Sequence, residues 1–224
     1  MIEPDPTATL PPALAHLRQE YSAGGLSEAE AGMDPFALFR TWFDQAFAAG
    51  LHEPNAMALA TATTDGIPSV RLVLLKMLDD RGFTFFTNYD SRKAREMAAN
   101  PRVALVFPWH ALERQVQIEG TIEVVTPKES DAYYVTRPLG SRLGAWASAQ
   151  SAVIPDRDFL ERQHAALMAK YSDGNVPRPP NWGGYRVLPA IFEFWQGRPS
   201  RLHDRIRFTK LSSPPFWRRE RLSP

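Results

Sequence analysis

The feature that most constrains the fold is a change of hydrophobic period at Ala56. Upstream, Phe36, Phe39, Phe43 and Phe47 recur at helical spacing, behind an Asp34-Pro35 pair suited to N-cap and first helical position, and Gly50 supplies a stop. From Ala56 onward, AMALATATT, SVRLVLLKML and GFTFFTN are short segments rich in Val, Leu, Phe and Thr, separated by Asp65-Gly66 and by Asp79 to Arg81. That pattern predicts two successive β-hairpins. Asp90 or Ser91 then caps a short helix over SRKAREMAAN, and RVALVFPW with RQVQIEGTIEVV predicts a hairpin across His110 to Glu113. Thr126-Pro127-Lys128-Glu129 has capping-box spacing and opens a helix through about Thr136. The stretch LGSRLGAWASAQS leads to Pro155 and a further helix, with Phe159, Leu160, Leu167 and Tyr171 on its apolar side. NWGGYRVLPAIFEFWQG and RLHDRIRF supply the last strands, and Trp217 to Leu222 closes the sheet.

Six to eight mostly antiparallel strands with helices between them predict an α+β domain, a small closed or split barrel. Residues 1 to 33, rich in Pro, Ala, Gly and acid, read as a largely mobile arm, and residues 34 to 224 as a single domain. Within the arm, Leu17 to Tyr21 is dense enough to dock. With 13 Phe, 6 Trp and 6 Tyr the chain can build a sizeable core, and a net charge of +1 argues against a general nucleic-acid or membrane-surface role. The absence of cysteine excludes disulfides, thiolate metal sites and a Cys nucleophile. No apolar run follows Met1 or approaches the roughly 18 residues of a membrane span, so a cytoplasmic location is expected. The five His have no ligand spacing, and the Rossmann, P-loop and nucleophile-elbow patterns are missing.

Four segments carry chemistry. If Arg201 to Phe208 run as a strand, Arg201, His203, Arg205 and Arg207 share one face, opposite Leu202, Asp204, Ile206 and Phe208. Such a row repels itself unless an anion or water lies before it, and Trp195 and Gln196 just upstream favour an anion-binding wall over a solvated edge. In RLVLLK, alternation sends Arg71 and Lys76 to opposite sides. Thr87 to Lys93 places a strand end, a helix start and two cations together, where free amides and the helix dipole favour a phosphate. Tyr133, Arg137 and Ser141, spaced four apart, can surround a second phosphate. Two phosphate sites with aromatic and amide groups between them suit flavin mononucleotide (FMN) plus a phosphorylated substrate.

RLVLLK, FFTNYDSRKA, FPWHALERQVQIEG, SRLGAWASAQS, NWGGYRV, EFWQGRPSRLHDR and the terminal RLSP resemble the pyridoxamine 5′-phosphate oxidase family, across about residues 15 to 224. The resemblance implies a homodimer of FMN-binding split β-barrels with sites at the subunit interface. It implies oxidation of pyridoxine or pyridoxamine 5′-phosphate to pyridoxal 5′-phosphate by hydride transfer from C4′ to flavin N5, with O2 as acceptor and H2O2 released. By the same motifs Arg71, Leu72, Val73, Leu74, Leu75, Lys76, Phe86, Thr87, Arg92, Lys93, Gln115, Gln150, Ser151, Trp195 and Arg205 would hold FMN. Lys76, Tyr133, Arg137 and Ser141 would hold the substrate phosphate, Arg201 and His203 would act at its pyridine ring, and Arg18 to Tyr21 would cover the site. Phe86 stands where the family often has Tyr, and TKLSSPPFW is unusually Pro-rich for the final hairpin. A phenazine-pathway flavin oxidase, a non-catalytic flavin- or pyridoxal-phosphate-binding protein and a deazaflavin-dependent reductase are the competing readings.

Overall fold

Asp34 starts the first long helix as its sequence demands: its carboxylate accepts from the Phe36 N–H at 2.9 Å, with Pro35 in the first turn. The computed structural model describes residues 17, 20–22 and 24–224. A short helix α1 (Glu28–Ala31) precedes this one, α2 (Pro35–Ala48). Phe36 and Phe39 are buried, Phe43 is half-buried and Phe47 is 72% exposed. From Phe39 onward each spacing of four advances about 40° beyond a full turn, so Phe43 and Phe47 rotate off the core and Trp42 and Ala46 face it instead.

Nine antiparallel strands follow: β1 (Ala56–Ala62), β2 (Pro68–Leu74), β3 (Met77–Leu78), β4 (Phe83–Asn88), β5 (Arg102–Trp109), β6 (Arg114–Val124), β7 (Trp182–Gln196), β8 (Asp204–Lys210) and β9 (Trp217–Leu222). They form one curled sheet in the order β2-β1-β5-β6-β7-β4-β3, with β8 on β7 and β9 on β8. The first hairpin, the β5–β6 hairpin and the closing strand form as the period predicts, whereas SVRLVLLKML breaks at Leu75-Lys76, so that only Met77 and Leu78 pair with β4 in the second hairpin. The helices α3 (Arg92–Ala99), α4 (Pro127–Tyr134), α5 (Leu139–Ala147) and α6 (Arg157–Lys170) fill the connections. Thr126 and Glu129 complete the expected capping box on α4. The helix α5 was not expected, because its two glycines lower helix propensity; Leu143 anchors it by burial. On α6, Phe159, Leu160, Leu167 and Tyr171 do form the inner side, but only half-buried.

The fifteen-residue strand β7 organises the sheet. One edge pairs with β6 along Tyr185 to Gln196, while the other pairs with β4 through Val187 and with β8 from Ile191. The β6–β7 register shifts at Glu119/Gly120, where a Cβ on Gly120 would lie 2.1 Å from the Leu188 carbonyl oxygen, so only glycine fits. Inside the curl, Phe39 meets Phe83 and Phe107 edge-on at 4.8 and 4.9 Å, and Trp42 meets Phe194 at 5.3 Å. Arg186, 1% exposed in the first half of β7, binds Asp79 at 3.0 Å, Glu123 at 3.0 Å and Glu129 at 2.6 Å, tying together a turn, a strand and a helix.

The C-terminal segment differs from its sequence reading. The strand begins at Asp204, not Arg201; Pro199 to Arg201 form a tight turn with positive φ at Ser200 and Arg201. Ile206 and Phe208 face the core as expected, while Leu202 is exposed and Asp204 pairs with Arg221 at 2.6 Å. The cation row is neutralised from within: Arg205 binds Glu193 at 2.8 and 3.1 Å, and Arg207 binds Glu220 at 3.0 Å. Cross-strand carboxylates on β7 and β9, invisible in the local sequence, replace the expected external anion. Of residues 1 to 33, the portion from Gly24 is folded onto this region: Leu26 and Ala31 are buried and Arg221 holds Glu28 at 2.7 Å.

Two outcomes test this framework. Gly120→Ala is expected to lower the melting temperature by at least about 4 °C, since the new Cβ must displace backbone. Arg186→Met is expected to cost about 3 kcal/mol at pH 7, since Asp79 and Glu129 lose their ion pair while Glu123 keeps Arg81. Arg186, by hydrogen bond, holds the Glu129 carboxyl at about 2 against an ordinary 4.5. A depressed carboxylate stabilises the fold above its ordinary value, and that stability is lost as pH falls toward 2. Arg186→Met should therefore flatten the decline of melting temperature between pH 5 and 3; an unchanged decline would contradict the assignment.

Candidate active site

The sheet edge β2, the end of β4, the start of α3 and the α4–α5 connection enclose an open cleft of about 850 Å³. Among the described residues five cations line it, Arg71, Lys76, Arg92, Lys93 and Arg137, and no carboxylate does. Like charges gathered without a counter-charge at the surface they share call for an anion. Arg71 and Lys76 meet in one cleft, contrary to strict alternation, because the chain leaves the ladder after Leu74. Ser69 to Leu74 form this wall, whereas Leu75 turns into the core at 7% exposure.

At one end stands the helix start. Lys93, 8% exposed, donates to Thr87 Oγ1 at 3.0 Å and Ser91 Oγ at 3.4 Å, and burial, with Arg71 nearby, pushes its pKa below the ordinary lysine value. The sequence pointed to free amides here. Ser151 Oγ instead accepts from the Arg92 N–H at 3.1 Å and Ser91 Oγ from that of Ala94 at 3.4 Å, leaving the two side-chain cations to meet an anion. Gln150 Oε1 accepts from Thr87 Oγ1 at 3.1 Å and docks the same loop. Behind the wall, Glu96 receives Arg92 Nε at 2.8 Å, Ser69 Oγ at 2.5 Å, the Thr61 hydroxyl and Arg71 Nη2 at 3.4 Å. Burial works to raise its pKa, but these hydrogen bonds prevail and hold it at about 2.

At the other end is an aromatic shelf. Phe86, Tyr133 and Trp182 lie nearly parallel, with centroids 4.0 Å apart for Phe86–Tyr133 and 5.5 Å for Phe86–Trp182. Gly184 permits this, since a Cβ there would come within 2.8 Å of the Phe86 ring. Arg137 sits over Trp182 at 4.5 Å, its pKa lowered by burial, and its Nη1 is buried with no hydrogen-bond partner among the described residues. Burial likewise pushes the Tyr133 phenol up. Ser141 reaches the cleft from the first turn of the unexpected α5. Sequence reasoning missed Trp182 and Ser148, which also line the cleft; the indole beside two glycines in NWGG was the available signal for Trp182.

The remaining expected site residues form a second, separate cluster. Trp195 packs on His203 at 4.6 Å, and Tyr21 meets both rings edge-on at 5.6 and 5.5 Å. Gln115 pairs with Trp195 across β6–β7, Arg205 is bound to Glu193, and Arg201 is exposed on the preceding turn. Arg18 lies outside the described residues. None of the described residues of this cluster lines the cleft. Trp182 and Trp195 sit at opposite ends of β7, of the order of 40 Å apart along an extended strand, so one chain cannot close both clusters on one small ligand.

Two family models match the chain: one described as pyridoxamine 5′-phosphate oxidase over residues 43–169, and one as the pyridoxine 5′-phosphate oxidase C-terminal dimerisation region over residues 182–224. A pyridoxine/pyridoxamine 5′-phosphate oxidase of Cupriavidus necator is 59% identical over 94% of this chain and 99% of its own length. The same description belongs to a Pseudomonas paraeruginosa relative, 59% identical over 95% of this chain and 99% of its own. Among solved structures, PhzG from Burkholderia lata in complex with tetrahydrophenazine-1-carboxylic acid superposes with a TM-score of 0.85, at 32% identity over 92% of this chain and 100% of that one. With both halves of the fold matched and relatives aligned over nearly its whole length, the chain belongs to the pyridoxamine 5′-phosphate oxidase family.

Proposed function

We propose that this chain is an FMN-dependent oxidase that converts pyridoxine 5′-phosphate or pyridoxamine 5′-phosphate to pyridoxal 5′-phosphate, with O2 as acceptor, and that it works as a homodimer. The observation that carries the reading is the composition of the cleft: five cations with no carboxylate among the described lining residues, only Arg71 and Arg92 being paired from behind by Glu96, beside a shelf of parallel rings. FMN and the substrate are each a flat heterocycle with one phosphate, so a site for both needs two cationic ends. Arg71, Arg92 and Lys93, with Thr87, Gln150 and Ser151 around them, would hold the FMN phosphate. Lys76, Tyr133, Arg137 and Ser141 would hold that of the substrate, where the partnerless Arg137 Nη1 is the kind of buried donor that a phosphate oxygen satisfies. When bound, FMN supplies the two-electron redox chemistry, and the protein's part is positioning and electrostatics.

The second cluster enters through the dimer. A strand too long to bring Trp195, Arg201, His203 and Arg205 to its own cleft presents them to that of a second copy, and the region matched as dimerising contains all four. Arg201, exposed and without an ion pair among the described residues, and His203, whose Nδ1 accepts from the Arg198 N–H at 3.1 Å, would then meet the pyridine ring and steady charge on its phenolic oxygen. Arg205 would act as a guanidinium already oriented by Glu193. The likeness to PhzG supports a second reading, oxidation of a tricyclic acid without phosphate. The Tyr133, Arg137 and Ser141 end favours the first.

Anaerobic titration of the FMN-loaded protein with pyridoxine 5′-phosphate should bleach the flavin's visible absorbance, and air should restore it. A flavin that stays coloured at saturating substrate would sink the proposal and move weight to the PhzG-like reaction or to a binding protein. Arg201→Ala should lower kcat/KM at least 100-fold with FMN affinity nearly kept, whereas Arg92→Ala should weaken FMN about tenfold or more; equal loss of FMN in both would contradict the division of roles.

A further inference from the structure

We infer that Glu96, which does not line the cleft, is a positioning residue whose carboxylate cross-links Arg71 and Arg92 and so fixes both guanidiniums toward the flavin phosphate. This rests on the FMN reading above. Glu96 stands one turn into α3, 6% exposed, directly behind the cationic wall. One carboxylate oxygen takes Arg92 Nε at 2.8 Å. The other takes Ser69 Oγ at 2.5 Å, the Thr61 hydroxyl and Arg71 Nη2 at 3.4 Å. Arg71 is further held by the Leu59 carbonyl at 3.0 Å and Thr61 Oγ1 at 2.6 Å. One acid thereby joins a guanidinium on the edge strand β2 to another on α3, elements that no backbone ladder connects.

The sign of the effect separates this role from simple electrostatics. A carboxylate beside a phosphate site repels the phosphate, so a count of charges predicts that neutralising Glu96 tightens FMN binding. If instead Glu96 acts by holding two long, flexible side chains in one geometry, its neutralisation weakens FMN, as loss of an outer partner weakens a bound metal by roughly 10- to 100-fold. Its carboxyl, held at about 2, is ionised throughout any ordinary assay range, so the locked state is the working one.

The test measures FMN affinity by flavin fluorescence quenching, and KM for pyridoxine 5′-phosphate at saturating FMN, in the wild-type dimer and in Glu96→Gln. The expected result is FMN bound at least tenfold more weakly with KM moved less than twofold, because the Tyr133, Arg137 and Ser141 end does not touch this network. Thr61→Val, a nearly isosteric change outside the cleft that removes a bond to both Glu96 and Arg71, should weaken FMN several-fold and serves if Glu96→Gln does not fold. Unchanged or tighter FMN binding in the folded variants overturns the inference, and so does a parallel rise of KM, which would mean general loosening of the cleft. Wild-type protein that fails to bind FMN would overturn the flavin reading itself.

Discussion

The strand β7 is the constraint on which the rest depends. It carries β6 on one edge and divides the other between β4 and β8, so the cleft at its start and the Tyr21, Trp195 and His203 cluster at its end belong to one rigid element. Its first half is pinned by Arg186, whose three carboxylate partners come from the β3–β4 turn, from β6 and from α4. Burial of that guanidinium makes a carboxylate partner obligatory, because a lone charge there would be uncompensated. The strand's length separates the two groups of functional side chains, and that separation makes a second copy part of the proposed site.

Charge is distributed to match. Where acids meet arginines in the C-terminal hairpin, the ion pairs close on themselves: Arg205 with Glu193, Arg207 with Glu220, Arg221 with Glu28 and Asp204. At the cleft Glu96 lies behind the lining residues and binds Arg71 and Arg92, and Lys76, Lys93 and Arg137 have no carboxylate among the described lining residues. The two kinds of arginine look alike along the chain. They differ in what the opposite strand or the neighbouring helix offers them.

Local order was legible wherever it arises from nearest neighbours. The Asp34-Pro35 start, the Thr126–Glu129 box, the Ser91 cap and the hairpin between β5 and β6 all form as the residues dictate. Expectations failed where a residue's environment is set from afar. Phe47 is exposed because small angular steps accumulate along α2, and Arg71 with Lys76 share a cleft because the strand ends between them. The Arg201 to Arg207 row is broken by a turn that no local periodicity records.

By itself the sequence determined the element types, the antiparallel curl implied by short strands of period two, and the cationic and aromatic residues available to hold a flat phosphorylated ligand. Patterns of three to eight residues encode these, because backbone conformation and face are short-range properties. Only the tertiary structure decided which cations remain unneutralised, that Trp182 and α5 complete the aromatic end, and that Trp195 and His203 lie too far along β7 to serve their own cleft. Those outcomes depend on pairing register and on distances between residues tens of positions apart, and electrostatic and packing energies follow distance in space, not along the chain.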